Sequence, residues 1–220
     1  MKTIVVIPAR LNSSRLPNKV LLDLKGKTVV QRVYERCMQA KDIDEVYIAT
    51  DSIEVKESCE RFTKNIIMTK DINVQGDEPF IDVELIEKLS TSFTENTQMV
   101  SAMHKINLVE DLKNSNVVKV TIDKNMNALY FSRSIIPHHR DEWESLLNHH
   151  TTIPEPLMFY RHLGIYGYTK GFIKTYSNLE QTYLERVEKL EQLRVLENGY
   201  SIKMVETEYN SIGIDTIEDY

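Results

Sequence analysis

A chain of 220 residues, 41% hydrophobic and 27% charged, has the composition of an ordinary globular protein and is long enough to bury a core without staples. Its net charge of −6 argues against a dedicated nucleic-acid binder, which carries a basic balance or a long basic stripe. The two cysteines, Cys37 and Cys59, form no CxxC and sit in helix-like stretches, which reads as buried or semi-exposed thiols in a reducing cytoplasm.

In chain order, the apolar run 3–7 (TIVVI) predicts a first strand. Residues 29–40 predict a helix, with Val29, Val30, Val33, Tyr34 and Cys37 on one face. A second strand follows over 45–49, then a helix over 53–62 capped by Asp51 or Ser52. Short strands are predicted at 65–68 and 72–75, and a helix at 83–93. Strand-like runs then cover 99–104, 117–122 and 128–131, and Arg161–Tyr168 alternates as a strand should. Residues 179–197 predict one long helix with a stripe of Leu184, Val187, Leu190 and Leu193, stopped by Asn198-Gly199. A last strand covers 202–206.

Strands alternating with helices indicate an α/β fold with a mostly parallel sheet flanked by helices. The pattern turns strand-rich in the middle of the chain. The expected division is an α/β part over 1–115, a strand-rich insertion over 116–178 and a return to the α/β part over 179–220, all in one compact unit. Charged Arg10, Arg15 and Lys19 come straight after the first strand with no A-x-A site, so no signal peptide is expected. No apolar run approaches the ~20 residues of a membrane span.

One join conflicts with a parallel sheet. Only Thr69, Lys70 and Asp71 separate the runs 65–68 and 72–75. Parallel neighbours need a crossover of a dozen or more residues. Either the fourth strand runs antiparallel, or residues that belong between Lys70 and Asp71 are missing; the spacing favours missing residues.

The first loop, Ile7–Lys19, holds Arg10, Arg15 and Lys19 and no acid. Pro8 and Pro17 stiffen its ends, and two guanidinium forks with a mobile ammonium suit a phosphate group. It is not a Walker A loop, because GxxxxGK[ST] is absent; the bland alternative is a solvated surface loop. In Val74-Gln75-Gly76-Asp77-Glu78-Pro79, Asp77 ends a predicted strand. It either pairs with those cations or holds Mg²⁺ against phosphates, since Mg²⁺ typically takes one or two carboxylates plus phosphate oxygens. Asp215, in Gly213-Ile214-Asp215-Thr216, is a second candidate ligand or simply a helix cap. Strand alternation puts His162, Gly164, Tyr166 and Tyr168 on one face. A strand histidine is often structural, and Glu191-Gln192 would ordinarily be a solvated helix face. Facing each other across a cleft, these groups would instead bind a polyhydroxylated ligand.

The segments IPARLNSSRLPNK, NVQGDEP, NSNVVKV, ALYFSRSIIP, RHLGIYGY, LEQLRVLENG and GIDT occur in this order. Together they resemble the 3-deoxy-manno-octulosonate cytidylyltransferase (CMP-Kdo synthetase) family nearly end to end. RHLGIYGY with LEQLRVLENG is specific to it; the first loop and QGDEP are shared with other sugar nucleotidyltransferases. The resemblance implies a Rossmann-like, nucleotide-diphospho-sugar transferase-like sheet with a smaller strand-rich dimerisation and sugar-binding region, in a cytoplasmic homodimer. It implies CMP transfer from CTP to Kdo, with Mg²⁺ required and no nucleic acid or membrane as partner, for lipopolysaccharide biosynthesis. Another sugar acid (8-amino-Kdo or a nonulosonic acid) or a non-catalytic homologue are the alternatives.

By motif, Arg10, Arg15, Lys19 and Asp77 correspond to catalytic and nucleotide-contacting residues. Ala9 and Gln75 correspond to contacts with base or ribose, and Asp77 and Asp215 to metal ligands. His162, Tyr166, Glu191 and Gln192 correspond to sugar-acid contacts, with Arg15 reaching the sugar carboxylate. The family also carries a Ser-Gly-Thr-acid-Arg segment between strands 3 and 4, and nothing between Lys70 and Asp71 matches it.

Overall fold

The computed structural model describes residues 3–11, 16–68 and 81–209. The chain divides into two compact units, one containing the residues up to Ser90 together with Tyr209, the other Thr91–Glu208. These boundaries differ from the 115/116 and 178/179 expected from the pattern. The strand-rich unit begins before its first strand and keeps the helices after residue 179.

The first unit carries three parallel strands, β1 (Ile4–Pro8), β2 (Glu45–Thr50) and β3 (Ile66–Met68), in that spatial order. Helix α1 (Val29–Cys37) crosses from β1 to β2, and α2 (Ile53–Cys59) from β2 to β3. Both starts are set by hydroxyl caps. Thr28 Oγ1 accepts from the Gln31 N–H at 3.3 Å, and Ser52 Oγ from the Val55 N–H at 3.3 Å. Helix α1 buries Val29, Val30, Val33 and Cys37. It stops short of the expected residue 40 because its end tightens: the N–H groups of Gln39 and Ala40 turn to carbonyls three residues back. Helix α3 (Val83–Thr91) begins in this unit, where the Lys41 N–H donates to Glu87 at 2.9 Å. Both cysteines are buried, and burial pushes each thiol up to about 12. The expected strand over 72–75 and the join at Lys70–Asp71 lie outside the described residues.

The second unit is built on a five-stranded sheet. Its strands are β4 (Met99–Lys105), β5 (Lys119–Ile122), β6 (Ala128–Ser132), β7 (Tyr160–Tyr168) and β8 (Lys203–Glu206), in the order β6-β5-β7-β4-β8. Only β4–β8 is parallel; the other pairs are antiparallel. Three short helices interrupt the strands: α4 (Val109–Lys113), α5 (Trp143–His149) and α6 (Lys170–Ser177). One core cluster gathers Met99, Met103, Phe131, Phe172, Leu193 and Ile202 on one face of the sheet. A second gathers Ile106, Val109, Leu112, Leu146 and Phe159.

The long helix expected over 179–197 is two short ones, α7 (Tyr183–Glu188) and α8 (Leu193–Glu197). Lys189 adopts a left-handed conformation, φ 56°, which ends α7. The apolar stripe therefore does not run through: Val187 is 62% exposed while Leu190 and Leu193 are buried. The expected stop at Asn198-Gly199 is present. Gly199 has φ 78°, its N–H reaches the Leu196 carbonyl and the Tyr200 N–H the Val195 carbonyl, a Schellman motif.

Candidate active site

The first loop leaves β1 at its carboxyl end. Ala9 is fully buried, and its N–H donates to the Ala49 carbonyl of β2 at 2.7 Å. The loop is pinched closed by a 3.1 Å hydrogen bond from the Asn18 N–H to the Leu11 carbonyl. Asn18 takes a left-handed φ of 58°, which asparagine tolerates, and a single 3₁₀ turn, Lys19–Leu21, follows. Arg10 and Lys19 thus flank the neck of the loop, each half-buried. Arg15, Gln75, Asp77 and Asp215 lie outside the described residues. Among the described residues, no group of three or more His, Cys, Asp or Glu could hold a metal ion.

In the second unit the structure brings three of the four expected sugar-acid residues into direct contact. Strand β7 carries His162 and Tyr166, whose rings lie 5.4 Å apart. A bulge opposite Ser101 and Ala102 separates them: Ser101 pairs with Tyr166, and Ala102 with Leu163. The bulge inserts two residues, Gly164 and Ile165, so the alternation is kept and both side chains point to the face expected. Gly167 sits opposite Val100, and a Cβ there would fall 2.6 Å from a Val100 methyl, so the second glycine of RHLGIYGY is needed for β4 to pack.

Gln192 enters from the turn before α8. The Tyr166 hydroxyl donates to Gln192 Oε1 at 3.2 Å, and Gln192 Nε2 lies 3.4 Å from His162 Nδ1. His162 Nε2 lies 2.9 Å from Ser101 Oγ. Phe131 meets the His162 ring edge-on at 4.9 Å, and Tyr168 and Tyr176 extend the aromatic wall. Burial pushes the His162 imidazole down to about 3, so the ring is neutral. Burial, with the Glu191 carboxylate nearby, raises Tyr166, Tyr168 and Tyr176 and keeps all three phenols protonated. Glu191 therefore belongs to the same wall by its field. The assembly offers neutral hydrogen-bonding groups on an aromatic floor beside one carboxylate, which suits hydroxyl groups on a sugar ring.

Buried polar anchors hold this wall. Glu185, buried in α7, receives the Arg194 guanidinium, with Nε donating to Oε2 at 2.8 Å, and the Arg194 guanidinium lies 5.4 Å from the Tyr176 ring centre. Lys119, fully buried, donates to the carbonyls of Asn114 (2.8 Å), Val117 (2.7 Å) and Arg133 (2.9 Å). This explains the lysine of NSNVVKV as a structural tie rather than a phosphate ligand. Sequence reasoning missed Ser101 and Arg194. Ser101 carries a weak signal: it is the lone polar residue between Met99 and Met103 on the inward face of β4, and it is completely buried.

A family model described as cytidylyltransferase matches the chain in two stretches, residues 4–71 and 71–204. A 3-deoxy-manno-octulosonate cytidylyltransferase of Francisella philomiragia is 43% identical over 242 aligned residues, covering 98% of this chain and 94% of the relative. One from Syntrophotalea carbinolica is 40% identical over 242, covering 100% and 96%. A solved CMP:2-keto-3-deoxy-manno-octonic acid synthetase, complexed with CTP, superposes with a TM-score of 0.87 at 33% identity, covering 98% of this chain and 94% of its own. Both sequence alignments are longer than the 220-residue chain, so the relatives carry residues without counterpart here, and the family match divides at residue 71. With the family model matched over most of its length and two relatives at 40% identity or more across nearly all of it, the chain belongs to the 3-deoxy-manno-octulosonate cytidylyltransferase family.

Proposed function

We propose that the chain transfers CMP from CTP to Kdo, giving CMP-Kdo and pyrophosphate. The observation that carries this is the wall of Tyr166, Gln192 and neutral His162 on an aromatic floor, built to take hydroxyl groups, in a chain whose family members bear that activity in their names.

The anomeric hydroxyl of the sugar acid attacks the α-phosphorus of CTP in line with the departing pyrophosphate. Nucleotidyl transfer needs positioning and charge stabilisation more than a covalent nucleophile. Arg10, Arg15 and Lys19 neutralise charge on the α-phosphate and on the pyrophosphate. Ala9 and Gln75 contact the base or ribose. His162, Tyr166, Glu191 and Gln192 hold the sugar, and Arg15 meets its carboxylate. Asp77 and Asp215 would hold Mg²⁺; two carboxylates are the donor type that hard cation takes alongside phosphate oxygens. When bound, Mg²⁺ supplies charge neutralisation and lowers the pKa of a coordinated hydroxyl. The active form is a homodimer in the cytoplasm, supplying activated Kdo for lipopolysaccharide assembly. No helix among the described residues is long and apolar enough to cross a membrane.

A second reading, a non-catalytic homologue, is favoured by one observation: the family match divides at residue 71. One experiment separates these readings. Pyrophosphate release is followed with CTP, Mg²⁺ and, in turn, Kdo, 8-amino-Kdo and N-acetylneuraminate. Release with Kdo is expected. Release with only one of the other acids overturns the sugar assignment, and no release with any acid supports the non-catalytic reading.

A further inference from the structure

The hydrogen-bond chain through His162 has two possible directions, and Ser101 selects between them. Ser101 Oγ lies 2.9 Å from the Ile165 carbonyl oxygen, 3.3 Å from that of Leu163 and 2.9 Å from His162 Nε2. The β7 bulge brings both carbonyls to this hydroxyl. A serine hydroxyl has one hydrogen, and a carbonyl only accepts. The hydrogen must point at a carbonyl; otherwise two carbonyl oxygens would face hydroxyl lone pairs in a completely buried site. Ser101 Oγ therefore accepts from His162 Nε2–H.

The rest of the chain follows from that proton. A neutral imidazole protonated at Nε2 has its lone pair on Nδ1, which accepts from the Gln192 amide N–H. With its nitrogen turned to His162, Gln192 presents Oε1 to Tyr166 and accepts the phenolic proton. In the opposite direction, Ser101 would donate to His162, the Gln192 amide would turn over, and Tyr166 would accept from it. Gln192 is only 2% exposed, and His162, though half-buried like Tyr166, has both ring nitrogens engaged with Ser101 and Gln192, so a ligand's hydroxyl first meets the hydrogen-bond chain at Tyr166.

We propose that Ser101 is a positioning residue: by fixing the direction of the chain Tyr166→Gln192→His162→Ser101→Ile165, it commits the Tyr166 proton inward and makes the phenol oxygen a hydrogen-bond acceptor toward the sugar acid. This rests on the reading that the wall binds that acid. An acceptor oxygen at Tyr166, with the Glu191 carboxylate beside the same tyrosines, makes a face that receives hydroxyl protons and repels a carboxylate. The wall thus selects the polyol tail of the acid and leaves its carboxylate to a cation elsewhere.

The test reads the tautomer directly. The full chain is labelled with ¹⁵N-histidine, and the His162 signals are identified by their loss in His162→Gln. A protonated, pyrrole-type Nε2 and a bare, pyridine-type Nδ1 are expected in the wild type without ligand. In Ser101→Ala the pyridine-type and pyrrole-type signals are expected to mix or exchange. The KM for Kdo should rise ~10-fold, the scale of one hydrogen bond, with the KM for CTP unchanged. Ser101→Thr, which keeps the hydroxyl, should restore the wild-type signals. A merely structural serine would lower stability without moving the tautomer. A wild-type proton on Nδ1, or a Ser101→Ala variant with unaltered tautomer and Kdo KM, overturns the proposal. Should Ser101→Ala fail to fold, the wild-type spectrum still decides the direction. A wild type inactive on Kdo but protonated at Nε2 overturns the sugar-acid reading and supports the chain direction.

Discussion

His162 has a consequence for stability that its neighbours dictate. Burial holds its ring neutral in the folded protein until about pH 3, whereas an unfolded chain binds that proton below its ordinary value of 6.5. Between those values the unfolded state carries more protons, so stability falls as pH falls. From pH 7 to pH 5 the wild type should lose about 2 kcal/mol more than His162→Gln, which has no proton to bind. Urea denaturation of both proteins at the two pH values measures this, and equal losses would show that the ring is charged in the fold. The residues of this wall were legible because strand alternation survives a two-residue bulge: His162 and Tyr166 stay on one face. Ser101 was not, because a buried serine is defined by the carbonyls it meets, and the bulge that supplies them leaves no trace in the pattern of residue types.

At the scale of elements, the corner between α7 and α8 presents Glu191 and Gln192. Its geometry is held by the ion pair of Arg194 with Glu185, whose side chains are only 22% and 5% exposed. Removing the arginine leaves a buried carboxylate unpaired, so Arg194→Ala should cost about 3 kcal/mol in a denaturant titration. It should also weaken Kdo binding more than CTP binding, because the loosened corner carries Gln192. A stability loss under about 1 kcal/mol would mean the pair is not a structural tie. From the sequence alone this corner reads as an uninterrupted helix. Leu184, Val187, Leu190 and Leu193 keep helical spacing across a break that Lys189 makes with its backbone alone. Helix starts were easier. Thr28 and Ser52 cap α1 and α2 with side-chain oxygens visible in the sequence, while the ends of those helices depend on main-chain bonds that are not.

For the whole molecule, alternation of strands and helices identified the parallel β1-β2-β3 arrangement, and the strand-rich middle three strands of the mixed five-stranded sheet, β5, β6 and β7. The compact units divide elsewhere than the expected parts because the parallel pairing of β4 with β8 joins residues a hundred positions apart, and local periodicity has no reach over such a distance. The first unit carries Arg10 and Lys19; the second carries His162, Tyr166, Glu191 and Gln192. The most direct measurement is a ³¹P NMR spectrum of CTP, Kdo and Mg²⁺ incubated with the full chain. A phosphodiester resonance of CMP-Kdo rising in step with pyrophosphate, as CTP disappears, is the expected result. CTP left intact, or converted to the phosphomonoester CMP without a phosphodiester, would contradict transfer to the sugar acid.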